Sequence, residues 1–439
     1  MSSSSLASSS GSSSSSSSST HLVAIVHGMW GNTGHVGELA RVLQDLHPHD
    51  VHVLRPGANS EDNTYDGIDW GGERVADEIV AEVEKLKAEG RTVTRFSITG
   101  YSLGGLVARY VIGILHQRDF FENITPVNFN TIATPHLGVP RLRSLISSLA
   151  SVIGPRLLSR TGEQFFCVDK WPGSLKGRPL LEVMSDPDRI FYKALESFET
   201  IRIYANAVGD NTVPYVTAAI ETHDPFISRA TNGLEVNIDE KYPALMSSYT
   251  IPAVPPPLPP KPKPLTAAWV KSKRPRIFIP PPLRFRFPFN LAVYALIPIL
   301  FPGLLSLILF RLSRASASSR DRVRLLEENA KAPGSVEKLA QILARLEQQV
   351  ESAVVDLIEE VPADEEQLME QKQPKEQPQL TPVQRRIAAN LNTLPLKKEI
   401  AWFPEQHAHA VIVCRDIKNF ETHKAGEGIV RHWANVFIV

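Results

Sequence analysis

Apolar positions fall into short blocks with two kinds of spacing. Leu22-Val23-Ala24-Ile25-Val26 is an unbroken apolar run that stops at His27-Gly28. A short run without alternation predicts a strand buried on both faces, as in a parallel sheet. Val36 to Leu46 then carries apolar residues at helical spacing, and Val51-His52-Val53-Leu54 is a second strand, closed by Pro56-Gly57. Gly72 to Gly90 places Val75, Ile79, Val80, Val83 and Leu86 on one helix face and charges on the other. Phe96 to Thr99 reads as a strand and Leu103 to Leu115 as a helix. Phe129 to Ala133 and Ile201 to Ala207 read as further strands, and Ala410-Val411-Ile412-Val413-Cys414 as a last buried one. Strands and helices in alternation predict an α/β fold, a mostly parallel sheet with helices on both faces.

The pattern breaks near Tyr249. Prolines crowd 251–288, at Pro255-Pro256-Pro257, Pro259-Pro260 and Pro280-Pro281-Pro282, which predicts extended polyproline-like chain. Leu291 to Phe310 then runs without a charged residue and reaches the length that crosses a bilayer. Pro298, Pro302 and Gly303 at its centre predict a kink or a hairpin. Asp321 to Ala330 and Ser335 to Ile358 read as amphipathic helix, with Val336, Leu339, Leu343, Leu346, Val350, Val354 and Leu357 as the stripe of the second. The expected organisation is therefore a Ser-rich disordered tail (1–20), a first core part (21–250), a Pro-rich basic linker (251–290), an apolar segment (291–310), helices with an acidic linker (311–380) and a last core part (381–439). The tail has no basic start or apolar stretch of the kind a secretory signal needs.

Composition changes this picture in two places. The chain has 439 residues with 47 Lys+Arg against 47 Asp+Glu, so its formal net charge is +0, which gives no global basic field for nucleic acid. The charges are segregated. No Asp or Glu occurs from Lys241 to Arg320, and the stretch from Glu347 to Glu376 is acidic. Two cysteines, Cys167 and Cys414, cannot build a disulfide framework, which fits a reducing compartment.

Candidate chemistry centres on Gly100-Tyr101-Ser102-Leu103-Gly104, a G-x-S-x-G motif between a predicted strand and a predicted helix. Ser102 is expected on a strained turn as nucleophile, with glycines where side chains would collide. Leu103 opens the helix, so its backbone N–H is free for an oxyanion. The second donor is expected from His27-Gly28-Met29-Trp30, first from Met29 and next from Trp30, with His27 orienting the loop. A serine nucleophile needs a histidine base and a carboxylate to orient it. Asp210 follows the strand Ile201 to Ala207 and fits the acid; Asp186, Asp188 and Asp224 have no strand before them. His407, His409, His423 and His432 qualify as the base, with His409 at the edge of the last apolar run. His407 and His409 also form H-x-H, but no Cys or carboxylate cluster accompanies them, so no metal is expected.

These blocks resemble a known family. His27-Gly28-Met29-Trp30-Gly31-Asn32, Gly100 to Gly105, Thr131-Ile132-Ala133-Thr134-Pro135-His136-Leu137-Gly138, Tyr204-Ala205-Asn206 through Val213-Pro214, and His409 to Arg415 are together similar to the serine esterase family of eukaryotic lipases, which includes fungal lipid-droplet phospholipases. The resemblance implies a cofactor-free α/β-hydrolase that cleaves acyl esters of lipids. It implies Ser102 as nucleophile, Asp210 as acid and His409 as base, with His407 close by. It reaches no part of 251–380.

The insertion bears on where such an enzyme would work. Lys241, Lys261, Lys263, Lys271, Lys273, Arg274, Arg276 and others flank the apolar segment on both sides. Each well-placed cation draws anionic head groups by about 1 kcal/mol. The expectation is a lipid substrate met at a membrane or lipid-droplet surface through 291–310, on a droplet or the endoplasmic reticulum, with the catalytic domain facing the cytosol. Acyl transfer to an alcohol, protein thioester cleavage, and an inactive tether are the alternatives.

Overall fold

The computed structural model describes residues 18–141, 152–172, 174, 177–257, 266, 289–330, 377–404 and 407–439. The stripe from Val336 to Leu357, the acidic linker, and the basic residues from Lys261 to Arg286 lie outside the described residues.

Six strands form one sheet: β1 (Ser18–Val26), β2 (Val51–Leu54), β3 (Arg91–Tyr101), β4 (Thr125–Ile132), β5 (Thr200–Val208) and, late in the chain, β8 (Leu396–Trp402). Their order is β2-β1-β3-β4-β5-β8, and every neighbouring pair is parallel. A separate antiparallel pair, β6 (Glu235–Ile238) with β7 (Met246–Thr250), lies beside it. The apolar run of β1 is explained by burial on both faces. Leu22, Ala24 and Val26 join one core with helices α2 (Ile68–Ala88) and α3 (Leu103–Gln117), and Val23 and Ile25 join another with α1 (Gly37–Leu46) and the helix Glu427–Asn435. Strand order changes direction between β1 and β3, and the carboxyl ends of strands at such a point are where open α/β sheets place their sites.

Three readings need correction. β1 begins at Ser18, three residues inside the expected tail, because Ser18, Ser19 and Thr20 pair with Arg91, Thr92 and Val93. The apolar run Ala410 to Cys414 is no strand. Ala408–Val411 is one turn of helix followed by further turns, and Ile412, Val413 and Cys414 are buried in loop packing. A short apolar run reports burial and does not distinguish strand from turn. The last strand is instead β8, paired to β5 from Ile201↔Leu396 onward.

The third correction concerns the apolar segment. No hairpin forms at its prolines; one helix runs from Phe289 through Pro298, Pro302 and Gly303 to Ala330. A proline removes one backbone donor, and the helix-favouring Leu-rich sequence on either side carries the rod across. Leu300, Phe301, Leu304, Leu305, Leu307, Ile308, Leu309 and Phe310 are all exposed, with Phe301 at 63%. Leu300–Ala330 is long and apolar enough to cross a membrane by length and composition. The chain rejoins the sheet region at Gln377, whose side chain exchanges hydrogen bonds with the Asp224 backbone.

Candidate active site

The glycines around Ser102 follow from contact distances. Ser102 follows β3 and precedes α3 with φ 57° and ψ −126°, a positive-φ conformation that a non-glycine residue adopts only when its surroundings fix it. Its N–H donates to Ile132 O at 2.9 Å, and its carbonyl accepts Gly105 N–H at 3.0 Å. A Cβ on Gly100 would stand 2.4 Å from Gly104 O, across the turn. A Cβ on Gly104 would meet Val26 O at 2.3 Å and His27 O at 2.5 Å, so that glycine serves the packing of α3 on β1.

Asp210 and His409 come to this serine from far along the chain. Asp210 follows β5 and Gly209, and its side chain is almost fully buried. Its Oδ1 accepts the Thr212 and Val213 N–H groups, each at 2.9 Å. Its Oδ2 accepts Asn206 Nδ2–H at 2.8 Å and the imidazole of His409, through Nδ1, at 2.8 Å. Burial alone would raise this carboxyl, but the facing His409 and the surrounding N–H donors outweigh it and hold it below the ordinary value. On the far side of the ring, His409 Nε2 lies 3.0 Å from Ser102 Oγ. The tautomer with hydrogen on Nδ1 satisfies both contacts, leaving Nε2 to accept the serine hydroxyl.

His409 is oriented by two features that no motif announced. Tyr101, the variable residue before the serine, donates its hydroxyl to His409 O at 2.8 Å, and its ring lies 5.1 Å from the imidazole. Ala408 N–H donates to Gly209 O at 3.1 Å, tying the histidine turn to the acid loop. His407 sits two residues earlier, at the N-cap of the same short helix, exposed and with φ 82°. The other histidines considered lie elsewhere: His423 accepts Asp416 N–H and His432 Nδ1 meets Tyr204 OH. Among the weaker acids, Asp186 pairs with Arg178 and Asp224 caps Phe226.

The loop after β1 reaches over the serine. A Cβ on Gly28 would lie 2.7 Å from Ser102 Cβ, so only glycine lets the loop pass there. His27 Nδ1 contacts Gly28 O and Nε2 contacts Ser60 Oγ, each at 3.1 Å. Burial lowers its pKa, and the contact to Gly28 O offsets part of that. Trp30 N–H, the second candidate donor, already donates to Thr64 Oγ1 at 3.1 Å. Nothing among the described residues groups three or more His, Cys, Asp or Glu as for a metal ion.

Part of the chain is similar to known proteins. Residues 16–223 match the family model described as "Putative serine esterase (DUF676)". "Putative lipase C4A8.10" of Schizosaccharomyces pombe is 31% identical over 208 residues, covering 46% of this chain and 26% of the relative. "Putative lipase ROG1" of Saccharomyces cerevisiae is 27% identical over 206 residues, covering 46% of this chain and 28% of the relative. The chain thus spans roughly a quarter of the length of these two relatives. Among solved structures, the putative cell surface hydrolase from Lactobacillus plantarum covers 45% of this chain and 74% of its own, at 16% identity and TM-score 0.26. The α/β-hydrolase fold is evident in the sheet order and the strand-turn-helix around Ser102. Over residues 16–223, which hold Ser102 and Asp210 and stop short of His409, the chain matches the serine esterase family.

Proposed function

We propose that the chain is a serine hydrolase that cleaves acyl esters of lipids at a membrane or lipid-droplet surface. The observation that carries the reading is the hydrogen-bonded line Ser102–His409–Asp210 at the carboxyl ends of β3 and β5. Ser102 Oγ attacks the acyl carbonyl carbon while His409 Nε2 takes the hydroxyl proton. Asp210 holds the ring and stabilises the imidazolium. The N–H groups of Met29 and Leu103 receive the negative charge that develops on the carbonyl oxygen. His409 returns the proton to the leaving alcohol. Water, deprotonated by the same histidine, then cleaves the acyl-enzyme.

The insertion supports the lipid part. Exposed apolar side chains all around Leu300 to Phe310 are what a lipid-facing helix presents. A single span is disfavoured by the path of the chain. β7 before the helix and β8 after it belong to one body, joined through the Leu245↔Ala401 bridge, so both ends must return to one side of the membrane. The segment 251–288 carries eight Lys and Arg, from Lys261 to Arg286, and 331–376 is rich in Glu and Lys; neither offers a second crossing. The helix therefore seats in one leaflet, as a droplet monolayer or the cytosolic leaflet of the endoplasmic reticulum would allow.

Hydrolysis of a lipid panel by the full chain, against Ser102→Ala, tests the reading. Equal activity of the two sinks it. A competing alcohol in the same assay separates hydrolysis from acyl transfer by its product. Deletion of 291–310 should release the protein from membranes, and retention there would place the anchor elsewhere.

A further inference from the structure

The helix Phe289–Ala330 changes character at about Arg311. Beyond the exposed apolar part it carries polar residues that are buried: Ser316 at 1% exposure and Ser319 at 0%, with Val323 at 8%. This half lies against the core. Ser316 Oγ donates to Arg156 O at 2.8 Å, and Glu327 pairs with Arg160 at 3.1 Å. The densest contact is at Arg322. Its Nη2 donates to Asp66 Oδ1 and to Asp62 O, each at 2.8 Å, and its Nε to Asp66 Oδ2 at 3.2 Å. Asp66 is fully buried and also takes Arg74 from α2.

The segment that Arg322 grips is the one that holds the loop over Ser102. Thr64 Oγ1 accepts Trp30 N–H, and Tyr65 OH accepts Trp30 Nε1–H at 2.8 Å. Glu61 N–H donates to Gly31 O at 2.8 Å. Ser60 Oγ meets His27 Nε2. Residues 27–31 are thus fastened to 60–65 at four points. Trp30 and Glu61 both have positive φ, 53° and 54°, a conformation that persists only where contacts over-determine it. The segment is in turn held from outside by a bidentate guanidinium on the helix, and such pairs fix geometry as well as charge.

We infer that Arg322 is a positioning residue for the oxyanion loop, linking the seat of the helix to acyl transfer through Asp66. The inference rests on the serine-hydrolase reading above. With Arg322 removed, Asp66 keeps Arg74, so the buried carboxylate stays paired and the fold survives. The loss falls on the placement of Met29 N–H over Ser102.

The test uses the full chain in detergent micelles with p-nitrophenyl butyrate, a soluble short-chain ester. Its partner measurement is the Ki of an alkyl trifluoromethyl ketone, which binds serine as a tetrahedral oxyanion adduct. R322A should lower kcat by about tenfold to a hundredfold, less than loss of a whole oxyanion donor, with KM within about twofold. The ketone Ki should rise by the same factor as kcat/KM falls. R322K should lie between R322A and wild type. R324A, which alters an exposed arginine of the same helix, should match wild type. Folded R322A with kcat and Ki within twofold of wild type overturns the inference, as does loss of vesicle flotation with kcat unchanged. Should R322A fail to fold, R322Q, which keeps the stem's packing, carries the same expectation and the same refutation. Equal activity of wild type and S102A defeats the underlying reading and the coupling with it, and that pattern differs from a defect confined to R322A.

Discussion

Gly28 faces Ser102 so closely that a methyl group on it would stand 2.7 Å from the serine Cβ and 3.2 Å from Oγ. The contact joins the end of β1 to the end of β3, the two strands between which sheet order reverses. Gly28→Ala must therefore move either the loop or the serine. Since the site tolerates little displacement, kcat on a short ester should fall about a hundredfold while melting temperature changes by a few degrees. A variant with unchanged kcat would mean that the loop does not form the oxyanion pocket.

The parts of this site legible in the sequence are those fixed by local sterics or full burial. G-x-S-x-G shows itself because a Cβ on Gly100 or Gly104 would stand under 3 Å from backbone atoms. The β1 run shows itself because alternate residues enter two different cores. The edge strand β8 did not. Leu396-Lys397-Lys398-Glu399-Ile400-Ala401-Trp402 carries charges that find partners only in three dimensions, Lys398 with Glu221 and Glu399 with Arg202. The role of Tyr101 was hidden for a related reason. Its hydroxyl meets the backbone of a residue 308 positions away, and no spacing rule reaches that far. The run at Ala410 misled because turns wedged beneath a sheet can be as apolar as a strand.

Asp210→Asn should cripple the site without unfolding it. If the new amide oxygen keeps the Thr212 and Val213 N–H groups, its NH2 faces His409 Nδ1. The imidazole must then carry its hydrogen on Nε2, toward Ser102, where it cannot accept a proton. A loss of kcat of about a thousandfold to ten-thousandfold is expected, with KM little changed, read from initial rates on a short ester. A loss below about tenfold would remove Asp210 from the reaction.

A pH effect on stability is expected from Asp169, away from the site. Its Oδ2 accepts Leu180 N–H at 2.9 Å, while Oδ1 is buried without a hydrogen-bond partner among the described residues. Burial pushes the carboxyl up to about 6 from 3.8, against the pull of backbone N–H donors and of Arg160. A raised carboxyl binds its proton more tightly folded than unfolded. Its contribution is therefore fully present below the unfolded value and is lost as pH rises through about 6, by up to about 3 kcal/mol. His21, held down to about 4 chiefly by burial, acts with the opposite sign: its contribution is present above 6.5 and lost as pH falls toward 4. The two overlap, so the readout is a difference. Asp169→Asn should gain stability over wild type from pH 4 to pH 7 in urea unfolding. A constant difference across that range would contradict the assignment.

The proposed one-leaflet seat makes a prediction that separates binding from chemistry. Leu304 and Ile308 lie one turn apart on the exposed part of the long helix, at 51% and 45% exposure. They make no part of the Arg322 contact or of the loop over Ser102, so changing them should leave the site intact. An aspartate at the centre of a membrane helix costs about 2.5 to 3.5 kcal/mol. Two of them, in Leu304→Asp with Ile308→Asp, should weaken flotation with phosphatidylcholine vesicles by about seventyfold or more, even if each sits nearer the interface and costs half as much. Hydrolysis of a soluble ester should stay within about twofold of wild type, while hydrolysis of vesicle lipid falls with binding. Undiminished flotation would show that this face does not meet lipid. Equal loss on both esters would show instead that the aspartates disturb the core, and Leu304→Ser with Ile308→Ser, which adds no charge, would then decide whether apolar contact with lipid is what the helix supplies.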